Sequence, residues 1–142
     1  MSIFSFFNRI KEVRCNKNEH SDEQKQWDKM WDMWVKGEAD SPYAELMTYQ
    51  SEVENGGHDQ YFFNIENTGD LQKEMTILCS ILPEKSQRNL QEAYNAWLVL
   101  DKEERDGKAE AILEQCDDEF YKREEEINAI LKGYASKIVL HT

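Results

Sequence analysis

The sequence predicts an all-α protein, a single compact multi-helix domain of about six or seven helices. Apolar residues recur at i, i+3, i+4 and i+7 along most of the chain, and recognisable helix starts and stops lie between those stripes. A hairpin alternative fails at the one dipeptide that invites it. Asn55-Gly56 could close two strands, but the residues before it keep a helical period rather than an alternating one.

Length and charge bound what such a domain can do. The 142 residues suit one domain with a real core, and four Trp, six Tyr and six Phe are too many large apolar groups for a disordered acidic tail. With 29 acidic against 17 basic residues the formal charge is -12. Such a surface repels nucleic acid and anionic membranes, so basic or neutral protein surfaces are the expected partners and direct nucleic-acid binding is not expected. Cys15, Cys79 and Cys116 are odd in number, widely spaced and without a secretory signal ahead of them, which reads as reduced thiols in a cytoplasmic protein. No apolar run approaches the ~18 residues of a membrane span.

The elements follow in order. Residues 1–20 form an amphipathic N-terminal segment and polar linker, with Ile3, Phe6, Phe7 and Ile10 on one face and four bases against two acids. A terminal helix packed on the body or frayed is the plainer reading; an anchor that binds a partner or makes a weak membrane contact is the sharper one. Residues 21–142 form the all-helical domain. Ser21-Asp22-Glu23-Gln24 is a capping box, the Ser hydroxyl serving the N3 amide and Gln24 reaching back. Trp27, Met30, Trp31 and Trp34 then line one face before Gly37 stops the run, a stripe that is more often core than ligand platform. Ser41-Pro42 starts the next helix with a capping Ser and a Pro at its first position. Its inward face is Tyr43, Leu46, Met47 and Val53, and it ends at Asn55-Gly56-Gly57.

Beyond that turn, residues 58–64 make about two turns of helix that drive Tyr61, Phe62 and Phe63 inward. Gln60 and Asn64 lie on one side, where their amides are expected to satisfy open backbone groups at the adjoining helix ends. Asp70 caps a helix with Leu71, Met75, Leu78 and Leu82 on its apolar face, thickened by Cys79 and Ile81, which suggests a central position. Pro83 opens the next, carrying Leu90, Ala93, Tyr94, Trp97 and Leu98 inward and Glu84, Lys85, Arg88 and Glu92 outward. Asp101 to Lys108 reads as a loop. Ala109, Ile112, Leu113 and Cys116 mark a further helix, and Ile127, Ile130, Leu131, Tyr134 and Ile138 the last; Asp117-Asp118-Glu119 either separates them or lies within one longer helix.

The string carried by Glu52, Asn55, Gly56, Gly57, Gln60, Tyr61, Phe62 and Asn64 resembles the signature of a bacterial family of domains of unknown function that includes DNA mimic protein 19. Leu82-Pro83, Phe120-Tyr121 and the later Ile127, Leu131 and Tyr134 extend the likeness, which covers about residues 21–138. The resemblance implies an all-helical fold, no known catalytic residues and, for some members, an acidic surface that imitates DNA towards a DNA-binding protein. His58 stands where the family usually has Phe, which leaves open a looser turn and an exposed imidazole.

Acidic residues concentrate in the second half. Asp101, Glu103, Glu104, Asp106, Glu110, Glu114, Asp117, Asp118, Glu119, Glu124, Glu125 and Glu126 face five bases, a net of -7 in 26 residues. On a continuous helix Glu110, Glu114 and Asp117 fall in rows, with carboxylates every ~5–6 Å, on the scale of phosphate spacing. A basic groove could accept such a row; a merely solvated face is the plainer account.

Enzyme chemistry finds little support. His20, His58 and His141 are scattered without metal-pair spacing, no phosphate loop, nucleophile elbow or dinucleotide fingerprint occurs, and His58-Asp59 neighbours point in different directions on a helix. No catalytic residue, metal or cofactor is expected. The expected function is a non-enzymatic acidic protein whose face binds a basic partner such as a regulator's DNA-binding surface. Two alternatives stand beside it: a ligand-binding or enzymatic pocket near His58, Gln60 and Asn64, and an immunity-type protein that neutralises a toxin. The oligomeric state is not legible.

Overall fold

The computed structural model describes residues 21–102 and 106–141. The N-terminal segment expected to be amphipathic, together with Glu103 and Glu104 of the acidic set, lies outside the described residues, and so does the side chain of Asp101. Five helices and no strand occur among the described residues: α1 (Asp22–Val35), α2 (Tyr43–Thr68), α3 (Leu71–Cys79), α4 (Glu84–Lys102) and α5 (Gly107–Ala135). The all-α expectation holds, but five helices replace the six or seven expected. Two fusions account for the difference. Asp117-Asp118-Glu119 does not interrupt α5, and the Asn55-Gly56-Gly57 turn breaks α2 into two arms without a loop between them.

Local chemistry sets most boundaries. Ser21 caps α1 by accepting from the Gln24 amide at 3.1 Å, while the Gln24 side chain reaches forward to Asp28 instead of back. Gly37, at φ +74°, closes α1 with paired bonds from the Glu38 amide to Met33 O and the Gly37 amide to Trp34 O, the geometry in which a left-handed glycine satisfies the last carbonyls. At α2 the expected cap is corrected. Pro42, not Ser41, occupies the N-cap position, and the Ser41 hydroxyl donates to Glu45 at 2.8 Å instead of serving a backbone amide. Asp70 and Asp106 cap α3 and α5 with their carboxylates.

The core runs along the inner face of α2 and α5. Met30, Trp31, Leu46, Met47, Tyr61, Phe62, Leu78, Leu90, Ile127 and Leu131 are essentially inaccessible to solvent. Trp34 donates its indole N–H to Thr48 at 3.0 Å, joining α1 to α2, and Tyr43 stacks on Tyr134 at 4.2 Å. These contacts make the Trp stripe core, as its spacing predicts. Two inward assignments fail: Phe63 is 61% exposed, because two positions past Tyr61 carry it about 200° around the arm from that buried ring, and Cys79 is exposed at the end of α3. Nor is α3 central. It packs mainly on α2, which itself meets α3, α4 and α5. The pair α4 and α5 forms the largest helix contact, an antiparallel hairpin in which the Asn89 amide donates to Cys116 O at 2.9 Å.

Candidate functional site

Three features stand out: the break in α2, the outer face of α5 and the seam between α4 and α5. At the break, Gly56 has φ -158° and ψ 19°, and Gly57 has φ +79° and ψ -179°. The second pair belongs to a region that only glycine occupies readily. A Cβ on Gly57 would also collide with the Asp117 carboxylate, and one on Gly56 with the Gln60 side chain. The chain thus turns abruptly and resumes helix at once.

Asp117 explains how the second arm starts. Its Oδ1 accepts the His58 backbone N–H at 2.8 Å and lies 2.7 Å from His58 Nδ1. A carboxylate from α5 therefore supplies the helix cap that the sequence places nowhere near residue 58. His58 itself is fully buried, which closes the exposure that its departure from Phe left open. Its Nε2 stands 2.6 Å from the Tyr49 hydroxyl. Burial, reinforced by Tyr61, Cys116 and Asp117, raises Tyr49 well above its ordinary pKa, so the phenol keeps its proton. His58 thus has a partner at each ring nitrogen, the Tyr49 hydroxyl at Nε2 and the Asp117 carboxylate at Nδ1.

Gln60 and Asn64 do not bond to backbone. Both donate to the same oxygen of Glu52, at 2.9 and 2.7 Å, so the family string closes on itself across the break. Glu52 is 7% exposed, and the two amides replace the water that a buried carboxylate would lose. Asn55, Gly56 and Gly57 make the turn, Tyr61 and Phe62 anchor it in the core, and Glu52, Gln60 and Asn64 clamp it. His58, Gln60 and Asn64, considered together above as a pocket, are occupied by protein partners.

On α5 the acidic residues divide. Glu110, Glu114, Asp118, Glu125 and Glu126 are exposed; Asp106, Asp117, Glu119 and Glu124 are half-buried. Asp106 caps the helix, Glu119 accepts from Arg123 Nε at 2.6 Å, and Glu124 accepts from Gln50. Asp117 leaves the row in which the sequence places it, because its side chain points to α2. At roughly 100° per residue, Glu110, Glu114, Asp118 and Glu125 fall within about 80° of one another. The outward row is thus Glu110–Glu114–Asp118, continued by Glu125. Its i, i+4, i+8 spacing was legible in the sequence; the inward turn of Asp117 was not.

The α4–α5 seam was not anticipated. A groove of about 570 Å³ is lined by Lys85, Arg88, Asn89 and Glu92 from α4 and by Gln115, Cys116, Asp118, Glu119, Lys122 and Arg123 from α5. No cluster of three or more His, Cys, Asp or Glu with metal-holding geometry occurs among the described residues, and none of their helices is long and apolar enough to cross a membrane.

Comparison with known proteins gives one family and no individual relative. No curated protein and no solved structure matches the chain. The model of the DMP19-like protein family matches residues 37–138, beginning at the Gly37 that ends α1 and running through the break, the clamp and all of α5. That span is most of the sequence and contains every residue of the string that carried the resemblance, so the chain belongs to the DMP19-like protein family.

Proposed function

We propose that this protein is a non-enzymatic interaction protein whose α5 face presents carboxylates, in the manner of a DNA strand, to the basic DNA-binding surface of a protein partner. The observation that carries this reading is the exposed row of Glu110, Glu114, Asp118 and Glu125 on one unbroken helix of 29 residues. Successive members of the i, i+4 series stand about 6 Å apart along an axis of about 43 Å. The family name is consistent with mimicry of DNA. The net charge of -12 supports the same direction, since it attracts cationic surfaces and disfavours contact with nucleic acid itself.

Charge reversal tests the proposal. The full chain serves as bait in its native cell extract at low and high salt, beside the variant Glu110→Lys/Glu114→Lys/Glu125→Lys. The expected result is a DNA-binding protein retained at low salt, released at high salt, displaced by duplex DNA and absent from the variant's eluate. A partner held equally by both proteins and indifferent to salt overturns the mimic reading. A retained partner that binds no DNA and ignores competing duplex replaces it with some other acidic interface.

A further inference from the structure

We propose that the groove between α4 and α5 binds a phosphate-bearing small molecule. The protein is strongly acidic, yet this seam gathers four cationic side chains. Lys85 and Arg88 come from one wall, Lys122 and Arg123 from the other. They are the only bases on α4 before Lys102 and the only bases on α5 between Lys108 and Lys132, so the basic residues of both helices are concentrated here.

Their availability differs in a useful way. Lys85 and Lys122 have no ion-pair partner among the described residues. Arg88 meets Glu84 at 2.7 Å, but both side chains are largely exposed, and a surface pair of this kind yields readily to a stronger anion. Arg123 is held through Nε by Glu119 at 2.6 Å, with Glu126 at 4.0 Å from Nη1. That contact orients the guanidinium and leaves donors at its far end for a ligand.

Four cations from two sides select for oxyanion charge greater than one. A single carboxylate is saturated by one arginine fork, whereas a phosphate or pyrophosphate offers several oxygens that both walls can reach. The groove's volume lies in the usual range for small-molecule sites. Glu92 and Asp118 line it as well, beside the Glu119 that holds Arg123, and the Asn89 amide, 8% exposed, is fixed by its bond to Cys116 O. These acceptors fit hydroxyl or amino groups on the rest of the ligand, the arrangement of a phosphorylated, hydroxyl-bearing metabolite.

The test uses the full chain, with inorganic pyrophosphate as one probe and glucose 6-phosphate as the other, titrated at constant ionic strength and followed by amide chemical shifts. Saturable shifts confined to residues 85–92 and 115–123, including the Asn89 side-chain amide, are expected with both probes. Lys85→Gln/Lys122→Gln should weaken both at least tenfold. Those lysines serve no fold contact, and circular dichroism checks that helicity is unchanged; Arg88→Gln provides a second, single-site variant with the same expected direction. Glu92→Ala should tighten pyrophosphate and weaken glucose 6-phosphate. Non-saturating shifts spread over all surface lysines, or variants that bind within twofold of the wild type, overturn the site. Equal tightening of both probes by Glu92→Ala overturns the assignment of a hydroxyl-bearing ligand. The variants leave Glu110, Glu114 and Glu125 unchanged, and also Asp118, the residue that the groove shares with the acidic row, so the α5 face is judged separately.

Discussion

Gly57 and Gly37 both sit at positive φ, yet their surroundings make them unequal. Beside Gly37 there is open space, so an added methyl meets only the intrinsic backbone cost. At Gly57 the φ, ψ pair is one that other residues scarcely adopt, and the Asp117 carboxylate fills the space a methyl would need. Gly37→Ala is expected to cost about 1 kcal/mol. Gly57→Ala should cost about 3 kcal/mol, from strain plus displacement of a cap. Urea denaturation of the two variants against wild type measures both, and equal costs would mean that Asp117 does not hold the turn. The need for glycine was legible in Asn55-Gly56-Gly57. The need for Asp117 was not, since nothing in a sequence pairs residues 59 positions apart, and the placement of His58 stays open in the sequence for the same reason: its acceptor lies on another helix.

At the level of the element, α5 does two jobs on different sides of one cylinder. Outward it carries the acidic row; inward it buries Leu113, Cys116, Phe120, Ile127 and Leu131 and sends Asp117 to start the second arm of α2. Asp117→Ala removes the acceptor from the His58 backbone amide and from Nδ1, leaving two buried donors unpaired. The expected loss is about 2–3 kcal/mol. Amide exchange should quicken first at residues 58–62, while α1 keeps its protection; uniform quickening would show that the cap is not local. The helical period of α5 was legible throughout. Its continuity was not, because three successive acids look like a break when read locally, and only the burial of Phe120 and Cys116 on either side carries the helix through them. The reverse holds at α2, where a stop signal ends one arm but no loop follows.

For the molecule as a whole, ionisation of the core sets an alkaline limit. Burial pushes Cys116 up to about 11, and it also raises Tyr49, Tyr61 and Tyr134 above their usual value. These groups stay protonated when folded and lose protons once unfolded, so the unfolded state binds fewer protons as pH rises past about 9. Stability from this source is complete below that pH and is lost above it, at about 1.4 kcal/mol per pH unit for each group so affected. The melting temperature should be level from pH 7 to about 8.5 and fall progressively from pH 9 to 11. A melting temperature that is unchanged at pH 11 would mean these groups titrate normally. The all-α class and most of the core were legible because stripes with a helical period face inward whatever their neighbours; the α4–α5 groove was not, because it depends on how two helices are brought side by side. The self-closing clamp of Glu52, Gln60 and Asn64, together with the Asp117 cap, also bears on portability. The acidic surface cannot be cut out as a peptide: an isolated α5 would lose the partners that fix its rotation and would expose its apolar side. A competitor built from this protein must keep the break in α2 and the packing of α4 as well, so the transferable unit is the helical body around α5, not the charged helix alone.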